Sequence, residues 1–123
     1  MGTRRATSDF VALRQAYLRI LDKVMQKHEL DLLIFPQVSQ ELPGIFDEAS
    51  FPATTVSEIN IAGLPGVTVP AGQFANGGPF SLIFVGRLWS EADLLAFAFD
   101  YEQATHHRIV PKLAEEFYQP PQL

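Results

Sequence analysis

Residues 80–87, FSLIFVGR, restrict the possible folds more than any other stretch of the chain. In an extended conformation successive side chains point to opposite faces, so Phe80, Leu82 and Phe84 face one way while Ile83 and Val85 face the other. Both faces are apolar, and such a strand must be covered above and below, which points to helices packed on a sheet. Residues 31–36, DLLIFP, make the same demand: a short, nearly continuous apolar run ended by a proline.

Helices of the right pattern flank these strands. Over residues 8–28, Phe10, Leu13, Tyr17, Leu21, Val24 and His28 recur at helical spacing, and Val11, Leu18 and Met25 widen the stripe. Ser8 is expected to cap the first turn, and Lys23, Lys27 and His28 suit the negative pole of the helix. Thr55-Val56-Ser57-Glu58 fits a capping box and starts a second helix. That helix is brief, because Gly63 offers a left-handed stop and Pro65 cannot continue the ladder. Ser90-Glu91-Ala92-Asp93 is a second capping-box candidate, with Trp89 placed to staple onto Leu94. The segment LLAFAFDYEQAT that follows is expected to be a largely buried helix.

Residues 67–71 and 80–87 read as two strands joined through residues 72–79, where Asn76-Gly77 favours the positive backbone dihedrals of a hairpin turn. Pro70 suits an edge strand or a position whose amide has no ladder partner. Residues 37–53 carry two prolines, a glycine and three carboxylates without a period, and read as a long surface loop. The expected fold class is therefore α/β: a small mixed sheet of about three strands covered by helices, the first two strands parallel through a right-handed crossover. It forms one domain over residues 1–123, with a proline-containing tail at 106–123. A sheet this small leaves its edges unpaired.

Composition excludes several function classes. The formal charge is −5 with no Lys/Arg cluster, so the chain offers no surface for a phosphate backbone and no nucleic-acid partner is expected. There is no cysteine, hence no disulfide, thiolate metal site or cysteine nucleophile. Gly2 is followed by Ala6 where a myristoylation signal needs Ser or Thr, and no apolar run follows Arg4-Arg5. No stretch has eighteen uninterrupted apolar residues, so no membrane span is expected, and the chain reads as cytoplasmic.

The motifs that suggest chemistry have simpler readings. Gly63-x-x-Gly66 lies between a helix and a strand, whereas a dinucleotide fingerprint needs strand then helix, so it reads as a helix stop and a turn. His106-His107 are adjacent and diverge, so they do not chelate as an i,i+4 pair would, and His28 sits at the edge of an apolar stripe. Glu41, Asp47 and Glu48 share the long loop and read as solvated carboxylates, with an acid/base pair as the alternative. Asp22 and Asp31 have no identifiable partner. None of Ser8, Ser39, Ser50, Ser57, Ser81 and Ser90 lies in a Gly-x-Ser-x-Gly elbow or a glycine-flanked serine pair. No catalytic residue, metal or cofactor is assigned.

One ordered set of residues carries more. Asn60-x-x-Gly63-x-Pro65-x-x-x-x-Pro70-x-Gly72 is followed by Gly78-Pro79, by Leu82-Ile83-Phe84-Val85-Gly86-Arg87, and by a helix with Leu94-Leu95 and Tyr101-Glu102. With residues 31–36 upstream, this order resembles the C-terminal part of the amidase signature family of serine amide hydrolases over roughly residues 10–112. The resemblance implies a partial amidase-signature fold in which residues 31–36 deliver a substrate-facing loop. Gln37, Val38 and Ser39 are then the substrate-binding candidates, although Gln37 stands where the family commonly has Thr. It also implies a Ser-Ser-Lys catalytic set located N-terminal to the matched part; Lys23, Lys27 and Lys112 match no such motif.

Two functions follow as expectations. The first is the C-terminal segment of an amidase-signature hydrolase, silent alone, whose partner is a missing N-terminal catalytic segment. The alternative is a stand-alone interaction or scaffold module derived from the same fold. A minor third is a hydrolase using the loop carboxylates. Exposed edges and apolar surface also lead to an expected homo-oligomer, most simply a two-fold dimer.

Overall fold

The computed structural model describes residues 3–44, 46–48, 50, 54 and 57–110. Six elements follow in the expected order: α1 (Thr3–Lys27), β1 (Leu33–Pro36), α2 (Ser57–Ala62), β2 (Gly66–Gln73), β3 (Pro79–Val85) and α3 (Glu91–Thr105). The amphipathic α1 begins at Thr3, so Ser8 lies inside the helix and does not cap it. Thr55, proposed as the cap of α2, lies outside the described residues, as do parts of the 37–53 loop and the tail from residue 111.

The sheet runs in the order β1-β3-β2 with both pairings antiparallel. This corrects the expected crossover between neighbouring strands: β1 and β2 share a direction, but β3 lies between them and the sheet holds no parallel pair. The physical reason lies in the two-sided apolar pattern of β3. The centre is the only position in three strands where both edges are paired, and the strands that carry Pro36 and Pro70 take the outside, where a missing N–H costs no ladder bond. The hairpin joins β2 to β3 through bonds from Phe74 N–H to the Gly78 carbonyl (2.8 Å) and from Gly77 N–H to the Phe74 carbonyl (2.9 Å). Gly77 supplies the positive φ of 83°, and Asn76 Oδ1 accepts the Gly78 N–H at 2.8 Å. The register shifts between Pro70 and Gly72, a bulge beside the proline.

The alternation of β3 divides the core in two. Phe84 packs with Val69, Leu94 and Ala98 under α3, joined by Leu82 and Tyr101, whose ring meets Phe84 edge-on at 5.6 Å. Ile83 and Val85 pack with Ile59 of α2 on the opposite face, joined by Phe35 and Leu64.

All three helices stop at a left-handed residue. After α1, Leu30 N–H reaches the Met25 carbonyl (2.9 Å) and Glu29 N–H the Gln26 carbonyl (3.2 Å), with Glu29 at φ 52°. After α2, Leu64 N–H reaches Ile59 (3.1 Å) and Gly63 N–H reaches Asn60 (3.2 Å), with Gly63 at φ 70°. These are paired Schellman closures, each with an apolar residue at both ends of the long bond: Met25 with Leu30, and Ile59 with Leu64. After α3, His106 at φ 51° makes the simpler closure, donating to the Glu102 carbonyl at 2.9 Å.

The start of α3 differs from expectation. Ser90 Oγ donates to the Arg87 carbonyl at 2.8 Å and makes no cap, and Trp89, at φ 70°, is 89% exposed and staples onto nothing. The cause is the close seat of α3 on the end of β3. A Cβ at the buried Gly86 would run into Ser90 Oγ and lie 3.2 Å from Leu94, so the turn tightens onto its own backbone and swings Trp89 outward. The segment is a helix, but not a largely buried one: Leu94 and Ala98 are buried, whereas Leu95 and Phe99 are each 60% exposed. Likewise, only Met25 of the α1 stripe is fully buried.

Candidate functional site

The 37–53 loop departs from the end of β1 in a defined way. Gln37 N–H donates to the Ser81 carbonyl at 3.1 Å, which extends the β1–β3 ladder one residue past Pro36. Val38 then forms an isolated antiparallel bridge with Thr54. The loop therefore leaves and returns at one point, pinched at its neck beside the sheet. Gln37 and Val38 are half-buried at that neck and Ser39 is exposed just beyond it. Thus Gln37 and Val38 are positioned by backbone pairing where the loop emerges, and Ser39 follows them.

The loop carboxylates are not drawn together into an acid/base pair by any described contact. Asp47 is committed to its own turn: its Oδ2 accepts the Gly44 N–H at 2.7 Å while its N–H donates to the Gly44 carbonyl at 3.0 Å. Glu41 and Glu48 are exposed. His28 lies exposed past the end of α1, His106 closes α3, and the His107 ring leans on Tyr101 with centroids 6.4 Å apart. Among the described residues no group of three or more His, Cys, Asp or Glu side chains could hold a metal. No helix among them is long and apolar enough to cross a membrane.

Two arginines, neither assigned a role from the sequence, join segments distant along the chain. Arg14 of α1 donates from Nε to the Ala62 carbonyl at 2.8 Å, placing a cation at the negative end of α2. Its guanidinium lies over Gly63, in the space a Cβ there would occupy. Arg87, at the end of β3, donates from Nη2 to the Leu30 carbonyl at 3.4 Å, and its Nε lies 4.0 Å from Asp22 Oδ1. Asp31, Ser90 and Asp93 line a cavity of about 320 Å³ beside the same side chain. Asp22 and Asp31 thus lie around one cation. Spacing along the chain could not reveal this, because the partners are distant in sequence.

This helix-covered sheet matches part of the fold of solved amidases. The structure matches that of native peptide amidase from Stenotrophomonas maltophilia with a TM-score of 0.66 and 35% identity, over 82% of this chain and 21% of that one. In sequence, the chain is 36% identical over 90 residues to the A subunit of glutamyl-tRNA(Gln) amidotransferase from Bacillus licheniformis, covering 68% of this chain and 18% of that protein. It is 30% identical over 99 residues to the corresponding protein of Oceanobacillus iheyensis, covering 75% and 20%. No family model matches the chain. The chain belongs to the amidase signature family as a partial member, a C-terminal segment that spans about a fifth of the length of these curated relatives.

Proposed function

We propose that this chain contributes sheet strands and the 37–53 loop to an amide hydrolase whose nucleophile and base come from the rest of an amidase-signature protein. Bare apolar surface carries this reading. Leu13 and Ile20 on α1, Leu95 and Phe99 on α3, and Ile34 on β1 are all more than half exposed. Scattered apolar side chains are ordinary on a surface, but here they lie on both helices and on an unpaired edge strand of a three-stranded sheet. They suit contact with further protein. Gln37, Val38 and Ser39 would face the substrate from the neck of the loop, and no catalytic role falls to any residue of this chain. Its acidic, cysteine-free composition suits the cytoplasm.

The isolated chain is accordingly silent, since the sequence has no glycine-flanked serine pair to supply the nucleophile. Purified chain incubated with peptide amides and with glutamine is expected to release no ammonia above the buffer rate. Turnover abolished by Glu41→Gln, Asp47→Asn or Glu48→Gln would replace this reading with a hydrolase that uses its loop carboxylates.

Left alone, the same surface favours self-association, most simply a two-fold homodimer. Light scattering over a rising concentration series is expected to show mass above that of the monomer. A strict monomer at high concentration would sink the dimer. The alternative of a stand-alone interaction module is separated by the coding DNA upstream of Met1: an in-frame glycine-serine-rich block supports a segment of a hydrolase, and a promoter with a clean start supports the module.

A further inference from the structure

The sheet runs β1-β3-β2, so β2 is an edge strand, and its ladder fixes which backbone groups stay open. Gly86 N–H donates to the Pro65 carbonyl at 3.3 Å, so Pro65, Val67 and Val69 turn their backbone groups to β3. Gly66, Thr68 and Pro70 turn theirs outward, and all three residues are exposed. Pro70 has no N–H, and the bulge after it bends the chain away. The open ladder is therefore short: the N–H and carbonyl of Gly66 and of Thr68.

The other edge offers less. Gln37 N–H points to β3, so Ile34, Pro36 and Val38 face outward from β1. The returning chain at Thr54 takes Val38, and Pro36 has no N–H, which leaves Ile34 alone with both groups. Charge separates the two edges further. From Ile59 to Gly86 the sequence holds no charged residue, in a chain of net charge −5. A second copy is repelled over most of an acidic surface, whereas two β2 edges meet without like charges. Above the strand, Leu95 and Phe99 of α3 are each 60% exposed. They lie on the flank of α3 turned away from Asp93 and Phe97, which line the cavity shared with Asp31 at the start of β1.

We propose that a second copy of this chain adds to this edge, β2 against β2 and antiparallel, about a two-fold axis at Val67. In that register Gly66 of each copy exchanges both hydrogen bonds with Thr68 of the other, so every open N–H of the edge is paired. An axis at Thr68 would instead set Gly66 opposite Pro70 and orphan the Gly66 carbonyl. A helix about 10 Å across covers two strands about 4.8 Å apart, so the two α3 helices lie side by side over one continuous sheet. Leu95 and Phe99 then fill the seam between them. The assignment rests on the self-association reading above and is independent of the hydrolase reading.

The full chain has no cysteine, so single cysteines report the interface. Under mild oxidation Val67→Cys is expected to give a disulfide-linked dimer, because facing residues of a non-hydrogen-bonded pair lie about 4.5 Å apart at Cα, within the reach of a disulfide. Thr68→Cys lies a diagonal away from its own copy, and Ile34→Cys lies on the other edge, so neither should cross-link. Thr68→Pro deletes an N–H that β3 does not use. It should raise the dimer dissociation constant in sedimentation about thirty-fold, the loss of two hydrogen bonds, with the circular dichroism spectrum kept. If that variant does not fold, the cysteine series decides alone. A strict monomer would overturn both the self-association reading and this interface. A dimer that Val67→Cys fails to cross-link, that cross-links through Ile34→Cys, or that survives a folded Thr68→Pro unchanged would overturn the interface alone.

Discussion

Phe84→Ala is expected to lower folding stability by about 3–5 kcal/mol, the range for deleting a buried aromatic ring from a core. Phe84 is 2% exposed and lies in the central strand, where it joins Val69, Leu94, Ala98 and Tyr101 under α3. Among its described neighbours, Leu94 lies close against Gly86 and Tyr101 stands edge-on to the ring, so truncation should leave a cavity between them. A domain of this size has about 5–15 kcal/mol of net stability. With so much apolar surface bare, this chain should lie toward the lower end, so the variant should lose most of its cooperative transition. Urea unfolding followed by circular dichroism reads this directly. Phe84→Leu, which keeps most of the volume, should cost only about 1–2 kcal/mol. A wild-type midpoint for Phe84→Ala would mean that the contact between α3 and the sheet is not the principal core.

Gly63→Ala should cost about 2–3 kcal/mol, through two separable effects. Gly63 closes α2 at φ 70°, where a Cβ is strained whatever surrounds it. In addition, the added methyl occupies the place of the Arg14 guanidinium and breaks its bond to the Ala62 carbonyl. The double variant Arg14→Ala, Gly63→Ala distinguishes them. With Arg14 already truncated the collision is gone, so the pair should cost less than the sum of the two single changes. Strict additivity in the urea midpoints would leave backbone strain as the whole effect and remove Arg14 as the brace between α1 and α2.

Local geometry was the legible part of this fold. The alternation over residues 80–87 assigned Phe84 and Ile83 to opposite faces, and each is found in a different cluster. Gly63 stops α2, Asn76-Gly77 turns the hairpin, and Pro70 lies on an outer strand. Each of these follows from a dihedral or a missing N–H carried by the residue itself. Ser90 and Trp89 failed as a cap and a staple because the capping pattern counts residues along the chain. It does not include the approach of α3 to Gly86, which turns the serine hydroxyl back to Arg87. The pocket-loop residues Gln37, Val38 and Ser39 were placed by family resemblance. Their pinched neck depends on Thr54 and Ser81, which no local pattern links to them.

The sequence by itself determined the kinds of element, their order, the two apolar faces of β3 and the family to which the ordered motifs point, because periodicity and turn chemistry act over a few residues. Only the tertiary structure decided which strand takes the centre, which cations gather Asp22 and the end of α2, and which apolar faces stay uncovered. Those outcomes depend on competition between distant segments for one sheet. In a segment that spans a fifth of its relatives, the available helices cover only part of the apolar surface, leaving Ile34, Leu95 and Phe99 exposed.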